Sequence, residues 1–234
     1  MNVNIISDNL KRINEKIGHA AEKSGRKADD ITLIAVTKTV LPETLLGYID
    51  VLTEHGVKNL GENRVQELQE KQPLLEKCGI NWHMIGHLQR NKVKFVAGNV
   101  SLIHSVDSLR LAEEISRLST ARQITADVLL EINIADEDSK HGVTPGNALM
   151  FAKEVMALPN VTVKGLMAIA PFVDNGEENR PHFKRMAQLR EQISDATRVL
   201  LPHLSMGMTI DYETAIEEGA DMVRIGTAIF GERT

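Results

Sequence analysis

The sequence predicts an α/β fold, a single (β/α)8 TIM-type barrel over residues 1–234 with an extra N-terminal helix. Short apolar runs alternate with longer segments of helical periodicity, and no linker-like or low-complexity stretch divides the chain. Such alternation implies parallel strands joined by right-handed crossovers. Eight apolar runs within about 200 residues favour a closed barrel over an open doubly wound sheet, which is the alternative.

The elements follow one another along the chain. Apolar residues recur at helical spacing within residues 5–23, and this amphipathic segment precedes the first strand. Strands are predicted at 31–37, 58–60, 82–85, 102–105, 127–134, 163–169, 204–206 and 222–225, of which the second and seventh are weakly marked. Helices are predicted at 42–54, 64–77, 89–97, 109–118, 147–158, 180–200 and 211–218. Pro42 at a first helical position and Ser108 at an N-cap mark two of the helix starts.

Composition excludes several classes of function. A formal net charge of −5 argues against a general binder of nucleic acid or of anionic membranes. The single cysteine forms no internal disulfide, and no apolar run approaches the ~20 residues that span a bilayer. We therefore expect a cytoplasmic protein, and a monomer, because no long apolar surface segment is left unexplained.

Unusual residues cluster at the predicted carboxyl ends of the strands, the face that holds the active site in such barrels. The loops after strands 7 and 8, at 205–209 and 226–227, are rich in glycine and hydroxyl groups and fit a phosphate site. Their plainer interpretation is two tight turns in which Thr209 or Thr227 caps a helix. Arg224 ends an apolar strand, where it either meets a ligand or pairs with a surface carboxylate.

Lys38 is the most informative residue because it closes the apolar strand at 31–37. A lysine there is expected to be partly withdrawn from water, which favours the amine as a nucleophile toward a carbonyl. The plainer interpretation is a lysine whose stem packs while its amine reaches solvent. Together with a phosphate site across the barrel, Lys38 indicates a phosphorylated aldehyde or ketone as ligand.

Other polar residues carry weaker predictions. His83 is expected to line the barrel as a hydrogen-bonded residue rather than to act as a ligand. No metal-ligand spacing relates His87, His104 and His141, so no metal site is predicted. A basic patch at Arg90, Lys92 and Lys94 is interpreted as a solvated helix face, and the loop at 136–142 does not match a calcium loop. Lys140 is a second amine near the site face, and Met167 and Met208 are placed near a ring.

A run from Trp82 to Lys92, WHMIGHLQRNK, resembles the signature of the pyridoxal phosphate homeostasis protein family (YggS/PROSC-like). Further segments resemble the same family in order along nearly the whole chain: AVTK at 35–38, GEN at 61–63, DSKHG at 138–142, GLMAI at 165–169, LSMGM at 204–208 and VRIGTAIFG at 223–231.

This resemblance implies a barrel like the N-terminal domain of alanine racemase, with pyridoxal 5′-phosphate held as a Schiff base on Lys38. It implies phosphate contacts from Ser205, Gly207, Met208, Thr209, Gly226 and Thr227, and places Arg224 at the pyridine nitrogen. Asn63 and Met167 complete the predicted cofactor site. Thr209 stands where the family more often has serine, and 210–212 departs from its usual acidic pair. The family is linked to cellular cofactor balance without an established turnover.

Three functions are left open. A cofactor carrier that delivers to apo pyridoxal phosphate enzymes is favoured over an amino-acid racemase, because only 227–234 follow the last strand and neither Tyr48 nor Tyr212 ends a strand. An arginine at the pyridine nitrogen also weakens the ring as an electron sink. An aldolase-type enzyme needs an acid or base, for which Glu62 and Glu131 are the candidates. No catalytic residue is assigned.

Overall fold

Eight parallel strands close into one barrel, in which each strand pairs with the next and β8 pairs with β1. The computed structural model describes residues 2–137 and 141–231. The strands are β1 Thr32–Val36, β2 Asn59–Glu62, β3 Asn81–Met84, β4 Leu102–Val106, β5 Ala126–Glu131, β6 Val161–Met167, β7 His203–Ser205 and β8 Met222–Ile225. The predicted (β/α)8 barrel is confirmed.

The helices surround this barrel. They are α1 Val3–Lys23, α2 Pro42–Leu46, α3 Ile49–Glu54, α4 Val65–Leu75, α5 Leu109–Ala121, α6 Ala148–Met156, α7 Arg180–Thr197, α8 Tyr212–Glu217 and α9 Thr227–Phe230. The predicted N-terminal helix is confirmed as α1, whose apolar face is buried and packs against α3, α8 and α9. Because α9 after the last strand has only four residues, α1 completes the helical layer where the barrel closes.

Several predicted boundaries are wrong. The helix expected at 42–54 is divided at Gly47, and residues 89–97 contain only the 3₁₀ segment Arg90–Phe95. β5 ends at Glu131, so Asn133 lies in the loop beyond it. Pro42 does open a helix, and Ser108 stands at the N-cap of α5, although its hydroxyl donates to Asp107 instead of to the helix backbone. None of the helices described is long and apolar enough to cross a membrane.

The barrel interior contains a small apolar cluster made of Ile34, Leu102, Leu129, Met167 and Met222. Side chains alternate between the two faces of each strand, so inward positions on neighbouring strands meet inside the barrel. Five buried polar residues occupy such positions as well: His83, His104, Glu131, Ser205 and Arg224. Buried charges and imidazoles need partners, and their arrangement defines the candidate site.

Candidate functional site

Lys38 lies two residues beyond the end of β1, at the carboxyl face of the barrel. The residue is exposed, which agrees with the plainer interpretation of a lysine that reaches solvent. Thr37 before it is fully buried, and Thr39 after it has a left-handed φ of 63°. The backbone on both sides of Lys38 is therefore held, while the residue itself is exposed.

A buried ion pair fixes the turn that carries Lys38. Lys71 Nζ, on α4, donates to Glu62 Oε1 at 2.6 Å and to Glu67 Oε2 at 3.0 Å. The same ammonium donates to Thr37 O at 2.8 Å. Thr37 Oγ1 donates to Glu62 Oε1 at 2.5 Å, and Thr39 N donates to Glu67 Oε2 at 2.7 Å. Each of these hydrogen bonds involves either Thr37 or Thr39, which flank Lys38, or the carboxylates of Glu62 and Glu67, which bind them.

Glu62 was a candidate acid or base, and the structure contradicts that role. Asn59 and Gly61 share one face of β2, so Glu62 lies on the opposite face and contacts Lys71 of α4. Burial raises the pKa of Glu62, and the hydrogen bonds from Lys71 and Thr37 offset this only in part. An aldolase-type mechanism therefore loses one of its two candidate carboxylates.

A hydrogen-bonded chain crosses the barrel interior from Arg224 to Asn59. Arg224 Nη1 donates to Ser205 Oγ at 2.6 Å, and Ser205 Oγ lies 3.0 Å from His104 Nδ1. His104 Nε2 lies 2.9 Å from His83 Nδ1, and His83 Nε2 lies 3.1 Å from Asn59 Oδ1. The prediction that His83 lines the barrel as a hydrogen-bonded residue is confirmed.

The direction of this chain follows from the chemistry of its two ends. Burial lowers the pKa of His83 to about 4 and holds the pKa of His104 well below its usual value, so both rings are neutral. An amide oxygen only accepts, which makes His83 Nε2 a donor, His104 Nε2 a donor and Ser205 Oγ a donor to His104. Ser205 therefore accepts from Arg224 and has no proton left for a phosphate. Its predicted phosphate contact stays a prediction that this geometry does not favour.

Arg224 is 4% exposed and directed into the barrel from β8. Its Nη2 also donates to Ala168 O at 2.9 Å. Burial lowers the pKa of Arg224 to about 10, against the opposing effects of Glu131 and Asp211. The guanidinium stays charged at neutral pH and is held in one orientation by Ser205 and Ala168.

Glu131 ends β5 inside the barrel, 6% exposed. Its Oε2 is buried and has no hydrogen-bond partner among the described residues. Burial, assisted by the negative charge of Asp107, raises the pKa of Glu131 to about 7, although Arg224 acts in the opposite direction. A buried carboxyl group with a raised pKa and an unpartnered oxygen is typical of a ligand site, and Glu131 is therefore a candidate site residue.

Replacing Glu131 by Gln should make the free energy of unfolding fall less as the pH rises. Folded Glu131 keeps its proton up to about pH 7, whereas the unfolded chain releases it near 4.5, so stability falls as the pH rises through this window. Relative to the parent, the free energy of unfolding of the variant should be higher at pH 8 than at pH 5 by about 3 kcal/mol. Urea denaturation without added cofactor between pH 5 and 8 measures this, with Glu154→Gln on the exposed face of α6 as the control. A difference that does not change with pH would refute it.

The two loops predicted to hold phosphate lie side by side. Thr209 Oγ1 accepts from Ala228 N at 3.5 Å, which joins the loop after β7 to the start of α9. Gly207 has a φ of +91°, and a Cβ there would lie 2.6 Å from the Cβ of Ala215, so only glycine fits. Gly226 precedes α9 and Thr227 is its exposed first residue. Sequence reasoning placed these residues correctly at one end of the barrel.

Asp211 was not predicted as a site residue, yet it fixes this loop. Its Oδ1 accepts from Met208 N at 2.7 Å and its Oδ2 accepts from Asn179 Nδ2 at 2.8 Å. An aspartate at the N-cap of α8 is the sequence signal by which Asp211 could have been found. Although 210–212 departs from the acidic pair of the family, Asp211 supplies side-chain contacts at the start of α8.

Three further residues of the predicted cofactor site, Asn63, Met167 and Met208, lie in different surroundings. Asn63 follows β2, and its Oδ1 is buried without a partner among the described residues. Gly86 packs directly behind it, since a Cβ there would lie 2.3 Å from Asn63 O. Met167 is fully buried in the interior cluster, whereas Met208 is 39% exposed on its loop. A cavity of about 470 Å³ beside Asn63 is also lined by His87 and Lys92.

Two histidines that no sequence spacing relates lie together in the structure. His87 and His141, which are unrelated in sequence spacing, meet at Asp107 in a cluster with the composition of a metal site. His104 is not part of it, because it lies inside the barrel. Lys140, the second amine of interest, falls outside the described residues.

Comparison with known proteins identifies relatives over the whole fold. A family model described as alanine racemase, N-terminal domain, matches residues 8–234. The pyridoxal phosphate homeostasis protein of Aquifex aeolicus is 45% identical over 226 residues, which cover 97% of this chain and 97% of the relative.

Solved structures extend this likeness. PipY of Synechococcus elongatus, solved with PLP bound, is 28% identical and superposes with a TM-score of 0.82, covering 97% of this chain and 100% of that one. Alanine racemase of Clostridium difficile in complex with cycloserine superposes with a TM-score of 0.75 over 97% of this chain and 60% of that one. At 18% identity, the second likeness shows the fold alone.

Proposed function

This chain belongs to the pyridoxal phosphate homeostasis protein family, and we propose that it holds pyridoxal 5′-phosphate on Lys38 for storage or transfer. The observation that carries the proposal is the position of Lys38 at the same barrel mouth as the two paired loops after β7 and β8. When bound, this cofactor supplies an aldehyde that condenses with a primary amine. Cytoplasmic location, a monomeric state, a single domain over residues 1–234 and apo-enzymes as recipients belong to the same proposal.

The residues present fit this ligand. Asn63 Oδ1 and Glu131 Oε2 are buried acceptors without partners among the described residues, and such groups call for a donor from a ligand or water. The paired loops supply backbone N–H groups and the hydroxyls of Thr209 and Thr227 for the phosphate. Arg224 lies deeper in the barrel, where its fixed guanidinium would meet the ring, and Met167 and Met208 would contribute apolar contact.

Arg224 also bears on what the site does. An always-charged donor at the pyridine nitrogen keeps that nitrogen from accepting a proton, and the ring then withdraws electrons less strongly. Ser205 and Ala168 hold the guanidinium in place, and His104 and His83 fix the orientation of the Ser205 hydroxyl. We infer that this chain of residues suits retention of the cofactor rather than carbanion chemistry.

The tyrosines support the same conclusion. Tyr212 is 4% exposed, and burial raises its pKa far above the usual value, so it does not exchange protons near neutrality. Tyr48 is buried against Phe230, with ring centroids 6.3 Å apart. Neither stands where a racemase needs an acid opposite Lys38.

Glu131 favours the alternative, a racemase-like enzyme. A carboxyl whose pKa lies near 7 is suited to exchange protons at neutral pH. We place the carrier first because Glu131 lies inside the barrel next to Arg224. The described residues provide no second acid or base opposite it.

Thr227→Val should weaken cofactor affinity about ten-fold or more while the barrel stays folded. The change removes a hydroxyl from the phosphate loop and keeps the shape, and a hydrogen bond to a charged group contributes roughly 1.5–3 kcal/mol. Equilibrium dialysis with pyridoxal 5′-phosphate measures the affinity. Thr120→Val, an exposed position on α5, controls for the loss of a surface hydroxyl, and equal affinities for the two variants would move the phosphate elsewhere.

A turnover assay tests the proposal as a whole. The cofactor-loaded protein should produce no steady racemisation, transamination or decarboxylation of amino acids, and should restore activity to an apo-enzyme mixed with it. A phosphatase that destroys free cofactor excludes release through solvent. Steady turnover that disappears in both Lys38→Ala and Glu131→Gln would establish the enzyme instead.

A further inference from the structure

His87, Asp107 and His141 meet at the rim of the barrel although three different strands deliver them. His87 follows β3, Asp107 follows β4, and His141 follows the loop after β5. Each offers one ligand atom, and the three atoms lie within 4.8 Å of one another. None of the three is assigned a contact with the cofactor, although His87 lines the cavity beside Asn63. They follow β3, β4 and β5, on the side of the mouth away from β7, β8 and β1.

The geometry at the shared carboxylate fits an ion. Asp107 Oδ2 lies 3.2 Å from His87 Nδ1 and 3.9 Å from His141 Nδ1. Ligand atoms about 2.0–2.2 Å from a tetrahedral metal ion lie about 3.4 Å apart, between these two distances. The two rings now stack with centroids 4.1 Å apart. The side chains of His87 and His141 are 43% and 60% exposed, and a rotation of the rings would bring their nitrogens to one point.

Three hydrogen bonds to backbone groups hold the segments that carry His87 and His141. Ser105 Oγ donates to Gly86 O at 2.6 Å, which ties the turn before His87 to β4. Val143 N donates to Glu131 O at 2.8 Å, and Asn133 N donates to Val143 O at 3.0 Å, so the segment just after His141 is paired with the end of β5. Preorganised backbone lowers the cost of bringing separate ligands to one ion.

The carboxylate itself is oriented by a neighbour. Ser108 Oγ donates to Asp107 Oδ1 at 3.0 Å, which leaves Oδ2 directed toward the two histidines. This is the usual arrangement in metal sites, where an outer partner fixes the ligand and leaves one oxygen for the ion. Asp107 is 13% exposed, so the proposed ligand oxygen lies at the rim and not on open surface.

We propose that His87, Asp107 and His141 bind a divalent transition metal ion of the zinc class at the barrel rim, with one coordination position open. Two imidazoles and one carboxylate suit Zn²⁺ and its spectroscopic substitute Co²⁺ better than the oxygen-preferring Mg²⁺ or Ca²⁺. Three protein ligands leave a fourth position for water or for an incoming donor group at the mouth of the barrel.

Titration of the tag-free full chain with Co²⁺, followed by its visible absorption and by displacement with Zn²⁺, tests this proposal. We expect one ion per chain. His87→Gln, His141→Gln and Asp107→Asn should each weaken binding by more than about ten-fold, because even residues that only orient a ligand account for about 10–100-fold in affinity. His19→Gln, an exposed histidine on α1, is the matched control and should bind as the parent does.

Two further variants make the result decisive. Ser108→Ala should weaken Co²⁺ binding less than loss of a ligand does, because it frees Asp107 Oδ1 but leaves all three ligands. The Lys38→Ala protein should bind the ion as the parent does, so this measurement tests the metal site independently of the cofactor proposal. Absence of saturable binding, or equal losses in His87→Gln and His19→Gln, would overturn the proposal.

Discussion

Lys38→Ala is expected to abolish covalent retention of pyridoxal 5′-phosphate, with complete loss of the visible absorption band of the loaded protein. The reason is chemical, since only a primary amine condenses with the aldehyde in this way. Lys38 carries such an amine and lies at the barrel mouth beside the phosphate loops. The fold should be unaffected, because the Lys38 side chain is exposed and the neighbouring Thr37 and Thr39 contacts involve no atom that the change removes.

Borohydride reduction followed by peptide mass spectrometry locates the attachment directly. In the parent protein the reduced adduct should lie on Lys38, and Lys153→Ala, at an exposed position on α6, should leave both band and adduct unchanged. An adduct mainly on another lysine, Lys140 included, would show that Lys38 is not the primary site. Denaturation midpoints of parent and variant separate loss of attachment from loss of folding.

The placement of the candidate site could be predicted because it depends on local patterns. Alternation of strands and helices puts every strand end on one face, so Lys38, Arg224 and the loops at 205–209 and 226–227 follow from counting elements. The homologous relatives confirm the family that the motifs indicated. The sequence left two interpretations of Lys38 open, and the choice between them was not predictable because it depends on how the turn is held from outside the barrel.

Contacts between distant elements were missed for a physical reason. Lys71 stands on a helix among polar neighbours, and such a lysine is normally solvated. It is 1% exposed because α4 packs on the outer face of β2 and encloses it with Glu62. The meeting of His87 with His141 likewise depends on the closed barrel, since 54 residues of sequence separate them. Neither contact can be predicted from sequence spacing alone.

The second large effect is expected from Lys71→Met, which should destabilise the fold by about 3–5 kcal/mol. Removing the ammonium leaves Glu62 fully buried without its ion-pair partner and deprives Thr37 O of its donor. Loss of the hydrogen bond and charge of Lys71 also removes what holds the pKa of Glu62 down, so that pKa rises further. The defect should therefore shrink as the pH falls and Glu62 takes up a proton.

Urea denaturation of parent and variant at pH 8 and pH 5 measures both the loss and its pH dependence. Lys77→Met, at an exposed position just beyond α4, is the matched control and should change stability by less than about 0.5 kcal/mol. The double variant Lys71→Met with Glu62→Leu should recover much of the loss, because an apolar pair of similar size avoids burying an unpaired charge. A Lys71→Met protein within about 1 kcal/mol of the parent, or a double variant less stable than the single one, would mean that this ion pair does not hold the turn that carries Lys38.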